Sequence, residues 1–185
     1  MKDAARGRAK GAEAALAPAT EKELGACVEI LMDSILGEEY FTRDIAEPIL
    51  SEAIGKKEVI VARASSGEVL GFYRLAPDGV FLVFAYVHLL AVKTGHRGMG
   101  IGSRLLRDAE RRILEMREYP DLKKSFLLVG KTNRRAKRFY EREGYTRVST
   151  LPNLFSEGDT EFLMAKELGR NRAPERQARR AGNPA

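Results

Sequence analysis

The sequence predicts a single mixed α/β domain with helices on both faces of one sheet. Three observations support this fold class. Strand-like and helix-like apolar patterns follow one another in the order β-α-α-β-β-β-α-β-α-β-β. Hydrophobic residues make up 44% of the 185 residues, which is enough to bury a full core. The sequence shows no internal repeat and no linker-like stretch that would divide it into two domains.

The first third of the chain predicts a strand followed by two helices. Residues 16–19 form a short apolar stretch, and Thr20–Glu23 matches a capping box, in which side chains bond the free amides of a helix start. Apolar residues at helical spacing then predict a first helix from Leu24 to about Leu36. A second helix is expected over Glu47–Ile54, with Pro48 in its first turn.

The middle of the chain is rich in strand signals. Val59–Ala62 and Val69–Leu75 are predicted strands, joined by a turn at residues 65–68. Pro77–Gly79 predicts a second turn. The long apolar run Val80–Val92 predicts a central strand that is buried on both faces.

The last third begins with a glycine-rich loop, Gly95–Gly102, and returns to alternating helices and strands. An amphipathic helix follows the loop and ends near Pro120, because apolar residues recur at helical spacing up to Met116. The remaining predicted elements are a strand at Ser125–Val129, a helix from Asn133 to Gly144, and a closing strand pair at Tyr145–Leu151 and Glu161–Ala165.

The net positive charge is concentrated at the two ends of the sequence. Residues 1–14 contain four basic and two acidic residues, and residues 169–185 contain five basic and one acidic residue. These ends account for the whole formal charge of +6, so residues 15–168 are neutral. We therefore expect a folded domain over residues 15–168 between two flexible basic tails. A nucleic-acid partner is disfavoured, because the positive charge lies in the tails alone.

The composition disfavours several classes of protein. The single cysteine, Cys27, lies on the apolar stripe of the first helix, so it is expected to pack in the core, and it excludes an internal disulfide. Two histidines and one cysteine make a dedicated metal site unexpected. No apolar run reaches membrane-spanning length, and no apolar signal core follows the basic N-terminus. A cytoplasmic protein without a membrane partner is therefore expected.

The glycine-rich loop connects a buried strand to a long helix, and such a junction offers free backbone amides to an anion. A diphosphate is a natural ligand for it. A nucleoside-triphosphate P-loop would need Lys-Ser or Lys-Thr after its last glycine, whereas Ile101 and Gly102 follow Gly100 here. The spacing also differs from the dinucleotide-binding Gly-x-Gly-x-x-Gly pattern, and the loop lies in the middle of the chain.

Two motifs resemble the signatures of the GNAT acyltransferase superfamily. Arg97–Gly102 is similar to the Arg/Gln-x-x-Gly-x-Gly/Ala motif that grips the pyrophosphate of coenzyme A. The second motif, Asn-x-x-Ala-x-x-Phe-Tyr-x-x-x-Gly-Phe/Tyr, is matched by Asn133, Ala136, Phe139, Tyr140, Gly144 and Tyr145. The resemblance covers about residues 15–167 and implies a mostly antiparallel mixed sheet with a splayed central strand.

The resemblance implies that acetyl-CoA is the co-substrate and that no metal takes part. By position, backbone groups of Leu90, Ala91 and Val92 would pair with the pantetheine arm, and one amide there would face the thioester oxygen. The loop amides would hold the pyrophosphate; they belong to Arg97, Gly98, Met99, Gly100, Ile101, Gly102 and Ser103. The sequence leaves open whether three arginines of the last predicted helix bind the nucleotide phosphates or are exposed helix charges. They are Arg134, Arg135 and Arg138.

By the same resemblance, Tyr140 lies near the thioester sulfur and donates a proton to the departing thiolate. It follows Asn133 by seven residues, which is two turns along one helix face. The alternative for Tyr140 is a core tyrosine whose hydroxyl is hydrogen-bonded. Asn133 is expected to contact the coenzyme or a water, a role that is compatible with capping its helix.

The attacking amine has to lose a proton, and the candidate base is His88. Family members carry a glutamate at the position of His88 on the central strand, and an unperturbed histidine, with a pKa near 6.5, suits general-base work. Some N-terminal acetylases of the family carry a glutamate where this chain has Leu128. Glu39 and Tyr40 are further candidates for lining the acceptor site.

These observations predict an acyltransferase that moves an acetyl group from acetyl-CoA to a primary amine of a small molecule or peptide. Direct attack is expected, because the only cysteine is assigned to the core and no Ser–His–Asp arrangement is readable. Two alternatives stay open: a non-catalytic module that binds coenzyme A or a protein partner, and an RNA- or ribosome-associated protein that works through its C-terminal tail. The sequence does not decide whether the chain forms a homodimer.

Overall fold

The computed structural model of the protein describes residues 14–80, 84–116 and 123–169. The two basic tails lie outside these residues, apart from Ala14 and Gly169. Ala14 and Leu168, close to the two ends of the described chain, are both buried in the core. Among the described helices, none is long and apolar enough to span a bilayer.

Seven strands form one mixed sheet in the order β1-β2-β3-β4-β5-β7-β6. Only the pairing of β4 with β5 is parallel. The predicted α/β fold with a mostly antiparallel sheet is therefore confirmed. The strands are β1 Ala15–Pro18, β2 Val59–Arg63, β3 Val69–Val80, β4 Phe84–Val92, β5 Lys124–Gly130, β6 Thr146–Pro152 and β7 Thr160–Glu167.

Helices cover both faces of the sheet, as predicted. One face packs against the first three helices and contains a cluster built around Cys27, Leu31 and Phe72. The other face packs against the last two helices through Leu105, Leu106 and their neighbours. The helices are α1 Leu24–Met32, α2 Ile35–Tyr40, α3 Arg43–Gly55, α4 Ile101–Glu115 and α5 Arg134–Arg142.

The central strands β4 and β5 separate after a short contact. They pair only at Ala85↔Ser125 and Tyr86↔Phe126, near the start of each strand. Beyond Tyr86, the edge of β4 that faces β5 has no strand partner among the described residues. The predicted splayed central strand is thus confirmed, and the gap between the two strands opens towards the loop that follows β4.

A β-bulge at His88 changes the direction of the side chains along β4. Arg74 lies opposite Leu89 and Leu75 lies opposite Val87, so His88 is an extra residue without a partner on β3. After the bulge Leu89 packs with the cluster on the α1 face, whereas Val87, before it, packs with the cluster on the α4 face. The sequence shows only an apolar run here and gives no signal for the bulge.

Two helix predictions need correction. The first predicted helix is broken into α1 and α2 at Asp33 and Ser34, and the Ser34 hydroxyl donates to the Leu31 carbonyl at 2.6 Å in this turn. The second predicted helix starts at Arg43 instead of Glu47, so Pro48 lies inside α3 and not in its first turn. An apolar pattern alone does not mark either boundary, because Ile35 and Leu36 continue the helical spacing across the break.

The turn predicted at Pro77–Gly79 is wrong. These residues lie within β3, which continues to Val80, and they form an irregularity in its pairing with β4. Val80, the predicted start of the long strand, is the last residue of β3; residues 81–83 of that prediction lie outside the described residues, and β4 is Phe84–Val92. Proline and glycine are typical both of turns and of bulges in strands, so their presence did not distinguish the two.

Candidate active site

A cleft of about 630 Å³ lies where β4 and β5 separate. The α1–α2 turn, the loop after β4 and the start of α5 complete its walls. The residues predicted for catalysis and cofactor binding converge here, with two exceptions. Those that line the cleft are His88, Leu90, Ala91, Val92, Arg97, Gly98, Gly100, Gly102, Ser103, Asn133 and Tyr140.

Met99 and Ile101 do not line the cleft with their side chains. Met99 is exposed, and Ile101 is buried in the core beneath the start of α4. Their backbone amides nevertheless belong to the loop, which is the part of each residue that the sequence analysis assigned to the pyrophosphate.

The loop after β4 presents a row of free backbone amides. None of the amides of residues 97–103 donates a hydrogen bond to an acceptor in the part of the chain that is described. Gly98 and Gly100 have φ angles of 84° and 83°, a left-handed conformation that favours glycine and turns the amides to one side. Together with the N-terminus of α4, this loop forms a cradle for an anion such as a diphosphate.

The guanidinium of Arg97 binds backbone carbonyls instead of pointing into the anion cradle. Its Nε donates to the Val92 carbonyl at 2.9 Å, and its Nη2 donates to the Asp33 carbonyl at 2.7 Å. Arg97 therefore connects the end of β4 to the turn between α1 and α2. Other cations of the cleft, Arg135 and Arg142, belong to α5.

Tyr140 is buried against the cleft, and its hydroxyl has no hydrogen-bond partner among the described residues. Its ring packs between Phe139 and Tyr145, with centroid distances of 5.1 and 5.9 Å. Burial, and secondarily the neighbouring Tyr86, raises the pKa of Tyr140 well above its usual value. The phenol therefore keeps its proton at neutral pH and presents an unused donor to the cleft.

Tyr86 is a residue that the sequence analysis missed. Its hydroxyl lies near the Leu128 backbone amide, where β4 and β5 separate. Burial and the charge of Glu161 raise the pKa of Tyr86 to about 12, while the nearby Leu128 amide opposes the shift. No local pattern marks Tyr86, because the gap that it occupies results from strand pairing between distant segments.

His88 is held by a chain of polar contacts on the β3 side. An Arg74 Nη1 group lies 3.1 Å from Nδ1, and Arg74 in turn forms an ion pair with Glu58 at 3.0 Å. Because a guanidinium can only donate, Nδ1 is the acceptor and the ring hydrogen is assigned to Nε2. Burial and the charge of Arg74 lower the pKa of His88 to about 4, so the imidazole is neutral at pH 7.

The Asn133 side chain caps α5, because its Oδ1 accepts a hydrogen bond from the Ala136 amide at 3.0 Å. Its amide nitrogen stays available to the cleft, which Asn133 also lines. The capping role is confirmed and does not exclude the coenzyme contact. Of the three α5 arginines discussed above, all exposed, only Arg135 lines the cleft.

Near the end of β5, α2 meets the start of β7, and the acceptor-site candidates Glu39 and Tyr40 are not among the residues that line the cleft. The Tyr40 hydroxyl donates to Glu161 Oε1 at 2.8 Å, and Glu39 accepts a hydrogen bond from Thr132 at 3.2 Å. A side chain at Gly130 would bring its Cβ to 2.8 Å from the Tyr40 hydroxyl oxygen, so this contact requires glycine. The sequence analysis did not single out Glu161, which is buried next to this contact.

The sequence model of the acetyltransferase (GNAT) domain matches residues 55–147, which is half of the chain. The matched segment contains the amide cradle, the splayed strands and α5. The chain belongs to the GNAT acetyltransferase family. No curated protein matches it in sequence.

Several solved structures share the GNAT fold with this chain. Ard1 from Thermoplasma volcanium superposes with a TM-score of 0.69 at 22% identity, covering 85% of this chain and 99% of that one. Naa50 of Arabidopsis thaliana, in complex with the bisubstrate analogue CoA-Ac-MVNAL, gives 0.64 at 22%, covering 84% and 99%. An aminoglycoside 6'-N-acetyltransferase complexed with coenzyme A gives 0.65 at 19%, covering 84% and 98%. Likeness at these identities establishes the fold.

The GNAT cleft fits coenzyme A as a co-substrate. The free amides of residues 97–103 suit the diphosphate, and the unpaired edge of β4 suits the amide-containing pantetheine arm, which can add to it as a strand does. Cys27, by contrast, is fully buried away from this GNAT site, and burial raises its pKa to about 12. Its predicted place in the core is confirmed.

Proposed function

We propose that the protein transfers the acetyl group of acetyl-CoA to a primary amine by direct attack of the amine. The observation that supports this most strongly is the Tyr140 hydroxyl, which is open to the cleft and has no hydrogen-bond partner in the described chain. By contrast, the buried hydroxyls of Tyr73 and Tyr145 are bonded to Asp108 and Ser125, at 2.6 and 2.7 Å. The Tyr140 hydroxyl is thus free to donate to a ligand in the cleft, whereas the other two are already used inside the fold.

Different residues along the cleft bind different parts of acetyl-CoA. Backbone amides of residues 97–103 hold the pyrophosphate, and backbone groups of Leu90, Ala91 and Val92 hold the pantetheine arm. This arrangement orients the thioester beside Tyr140, which donates its proton to the leaving thiolate. A free β4 amide facing the thioester oxygen stabilises the negative charge that develops there.

Direct attack is favoured over a covalent acyl-enzyme. The chain's one thiol, Cys27, is in the core and keeps its proton. The amine must be deprotonated before it attacks, at a cost of about 4.6 kcal/mol for a lysine-like amine at pH 7 and about 1.4 kcal/mol for an α-amino group.

His88 is proposed to assist this deprotonation, directly or through water. With Arg74 in place, Nδ1 accepts a hydrogen bond and Nε2 carries the ring hydrogen, so the imidazole can orient a water or a substrate group through Nε2–H but has no free nitrogen for a proton. The base role therefore requires Arg74 to release Nδ1. Replacement of His88 by alanine is the test of the base role. Unchanged turnover together with an unchanged pH–rate profile would reject it.

The activity is tested by following thiol release from acetyl-CoA with the full-length protein. A panel of small primary amines, short peptides with free N-termini and aminoglycosides supplies the acceptors. We expect release that depends on an acceptor, with an equal amount of acetylated amine by mass spectrometry. Calorimetric binding of coenzyme A without acceptor-dependent release would indicate a binding module on the same fold, and no binding of coenzyme A would reject the assignment.

A further inference from the structure

Glu161 is a buried carboxylate without a basic partner. Its residue is 3% exposed, and its Oε1 accepts the hydrogen bond from Tyr40 at 2.8 Å. In the described chain, no lysine or arginine lies within ion-pair distance of it. The other buried acid, Asp108, is paired with Arg111 at 2.5 Å and with Arg112 at 2.8 Å.

The charged groups that face Glu161 add negative charge to its surroundings. Glu39 comes from α2, and Asp159 comes from the turn between β6 and β7. Burial raises the pKa of Glu161, and the charges of Glu39 and Asp159 raise it further, while the Tyr40 hydrogen bond lowers it. A buried carboxylate is costly unless a positive charge or several donors balance it. In this protein, the described residues supply one donor, so a cationic ligand would complete the site.

Glu161 lies close to the proposed reaction centre, at a distance of about two residues along β5. Its carboxylate lies over Gly130, where a Cβ would be 3.5 Å from Oε1. Gly130 is two residues beyond Leu128 on the same face of β5, a distance of about 7 Å along a strand. Leu128 lines the cleft, as Tyr140 does. The charge of Glu161 raises the pKa of Tyr86, and Tyr86 in turn raises the pKa of Tyr140, so these groups lie within electrostatic reach of one another.

Tyr40, which binds Glu161, has an aromatic neighbour. The Tyr40 ring meets the Phe155 ring edge-on at 5.4 Å, and Phe155 is 59% exposed. Aromatic rings next to a carboxylate suit an aliphatic chain that ends in a cation.

Positive and negative side chains line different walls of the cleft. Arg97, Arg135 and Arg142 line it with the amide cradle, whereas Glu38 lines it on the α2 side, next to Glu39. One end therefore suits the anionic coenzyme and the other suits a cation.

We propose that Glu161 binds a second positive charge of the acceptor, so that the acceptor is an amine carrying another cationic group about 7 Å from the reacting nitrogen. This inference rests on the proposed transferase function. Glu161 is a specificity-determining residue in this scheme: Tyr40 orients its carboxylate, and the reacting amine lies beside Tyr140.

The test compares two acceptors of similar length, 1,5-diaminopentane and hexan-1-amine, which carries a methyl group in place of the second ammonium. We expect the wild-type protein to favour the diamine at least tenfold in kcat/KM. Glu161→Gln keeps an oxygen that accepts from Tyr40 but loses the charge, so it should abolish the preference mainly through a higher KM for the diamine. Activity with hexan-1-amine should change less than threefold.

Glu157→Gln is the matched control, because it removes an exposed carboxylate from the turn that precedes β7. It should leave the preference for the diamine intact. Tyr40→Phe, which keeps the Glu161 charge, should retain a reduced preference, and it keeps the proposal testable if Glu161→Gln fails to fold.

Three outcomes would overturn the inference. They are equal use of both amines by the wild type, an equal loss with both amines in Glu161→Gln, and loss of the preference in Glu157→Gln. Absence of thiol release with every amine, despite binding of coenzyme A, would instead reject the transferase function on which the inference rests.

Discussion

Tyr140 differs from the buried tyrosines Tyr73 and Tyr145 in having no hydrogen-bond acceptor among the described residues. Replacing it with phenylalanine removes a donor that the folded protein does not use internally. We expect Tyr140→Phe to lower kcat about 100-fold, which is typical of losing a general acid, and to leave the Kd for coenzyme A within twofold. Steady-state kinetics and calorimetry measure the two quantities.

Tyr145→Phe is the control for this change, since it also deletes one buried phenol hydroxyl. Tyr145 donates to Ser125 at 2.7 Å, so its loss should destabilise the fold by about 1 kcal/mol without lowering kcat. A large loss of coenzyme binding with normal turnover in Tyr140→Phe would contradict the acid role.

His88 should make the stability of the protein depend on pH in a defined window. Its pKa is 6.5 when free and about 4 in the fold, so the unfolded state binds more protons between these values. The free energy of unfolding should therefore fall as the pH drops from 6.5 to 4, by about 2–3 kcal/mol, and change no further from this group below pH 4.

His88→Asn removes the titrating ring and keeps an oxygen that can accept from Arg74. Urea unfolding at several pH values should then show a flatter acid limb than the wild type shows. If kcat/KM instead shows a titration near pH 6.5 that His88→Asn abolishes, the imidazole is not held neutral by Arg74, and our description of this contact would be wrong.

The site could be predicted from the sequence only where local motifs encode it. Asn133, Tyr140 and the loop after β4 could be singled out because each belongs to a motif with fixed local spacing, and the structure brings them to one cleft. Tyr86 and Glu161 could not be singled out, because their positions depend on the separation of β4 from β5 and on the approach of α2 to β7. Both are tertiary events between segments far apart in the chain.

At the scale of elements, the loop before α4 depends on glycine for its conformation. Gly100 has a φ of 83° and caps α4, and a Cβ there would meet no atom within 4 Å. Gly100→Ala should therefore act through backbone strain alone, at a cost of about 1–2 kcal/mol. Because relief of the strain would turn the amides away, we expect the Kd for coenzyme A to rise at least fivefold by calorimetry.

Gly25→Ala provides the control, because Gly25 lies in α1 with nothing within 4 Å of an added Cβ. Alanine in a helix stabilises it by up to about 1 kcal/mol relative to glycine. This variant should be slightly more stable than the wild type and bind coenzyme A normally. Tight binding by Gly100→Ala would show that the cradle does not need the left-handed residue.

Periodicity predicted the presence of most elements but not their limits. The α1–α2 break and the β3 irregularity both lie where the residue pattern is consistent with two structures. At Asp33 the apolar spacing continues, and at Pro77–Gly79 turn-forming residues stand inside a paired strand. Tertiary contacts decided each case, as they did at the His88 bulge.

At the scale of the whole molecule, Arg97 joins the coenzyme side of the cleft to the acceptor side. Its guanidinium links the end of β4 to the α1–α2 turn through the carbonyls of Val92 and Asp33. Arg97→Met removes both hydrogen bonds and keeps the length of the side chain. We expect the KM values for acetyl-CoA and for the amine to rise together, about three- to tenfold, because both walls lose a common support.

Arg43→Met is the comparison for lost charge alone, since among the described residues Arg43 forms only an exposed ion pair with Glu29, at 2.7 Å. It should leave both KM values within twofold. A rise confined to acetyl-CoA in Arg97→Met would mean that Arg97 acts on the coenzyme only and does not couple the two walls.

The unpaired edge of β4 has a consequence for the protein when no coenzyme is bound. A free strand edge in the middle of a sheet is a template for another extended chain, and proteins normally cover such edges to avoid aggregation. The ligand that reacts in the cleft also caps this edge. Storage with coenzyme A should therefore keep the protein soluble and monodisperse for longer than the same buffer without it.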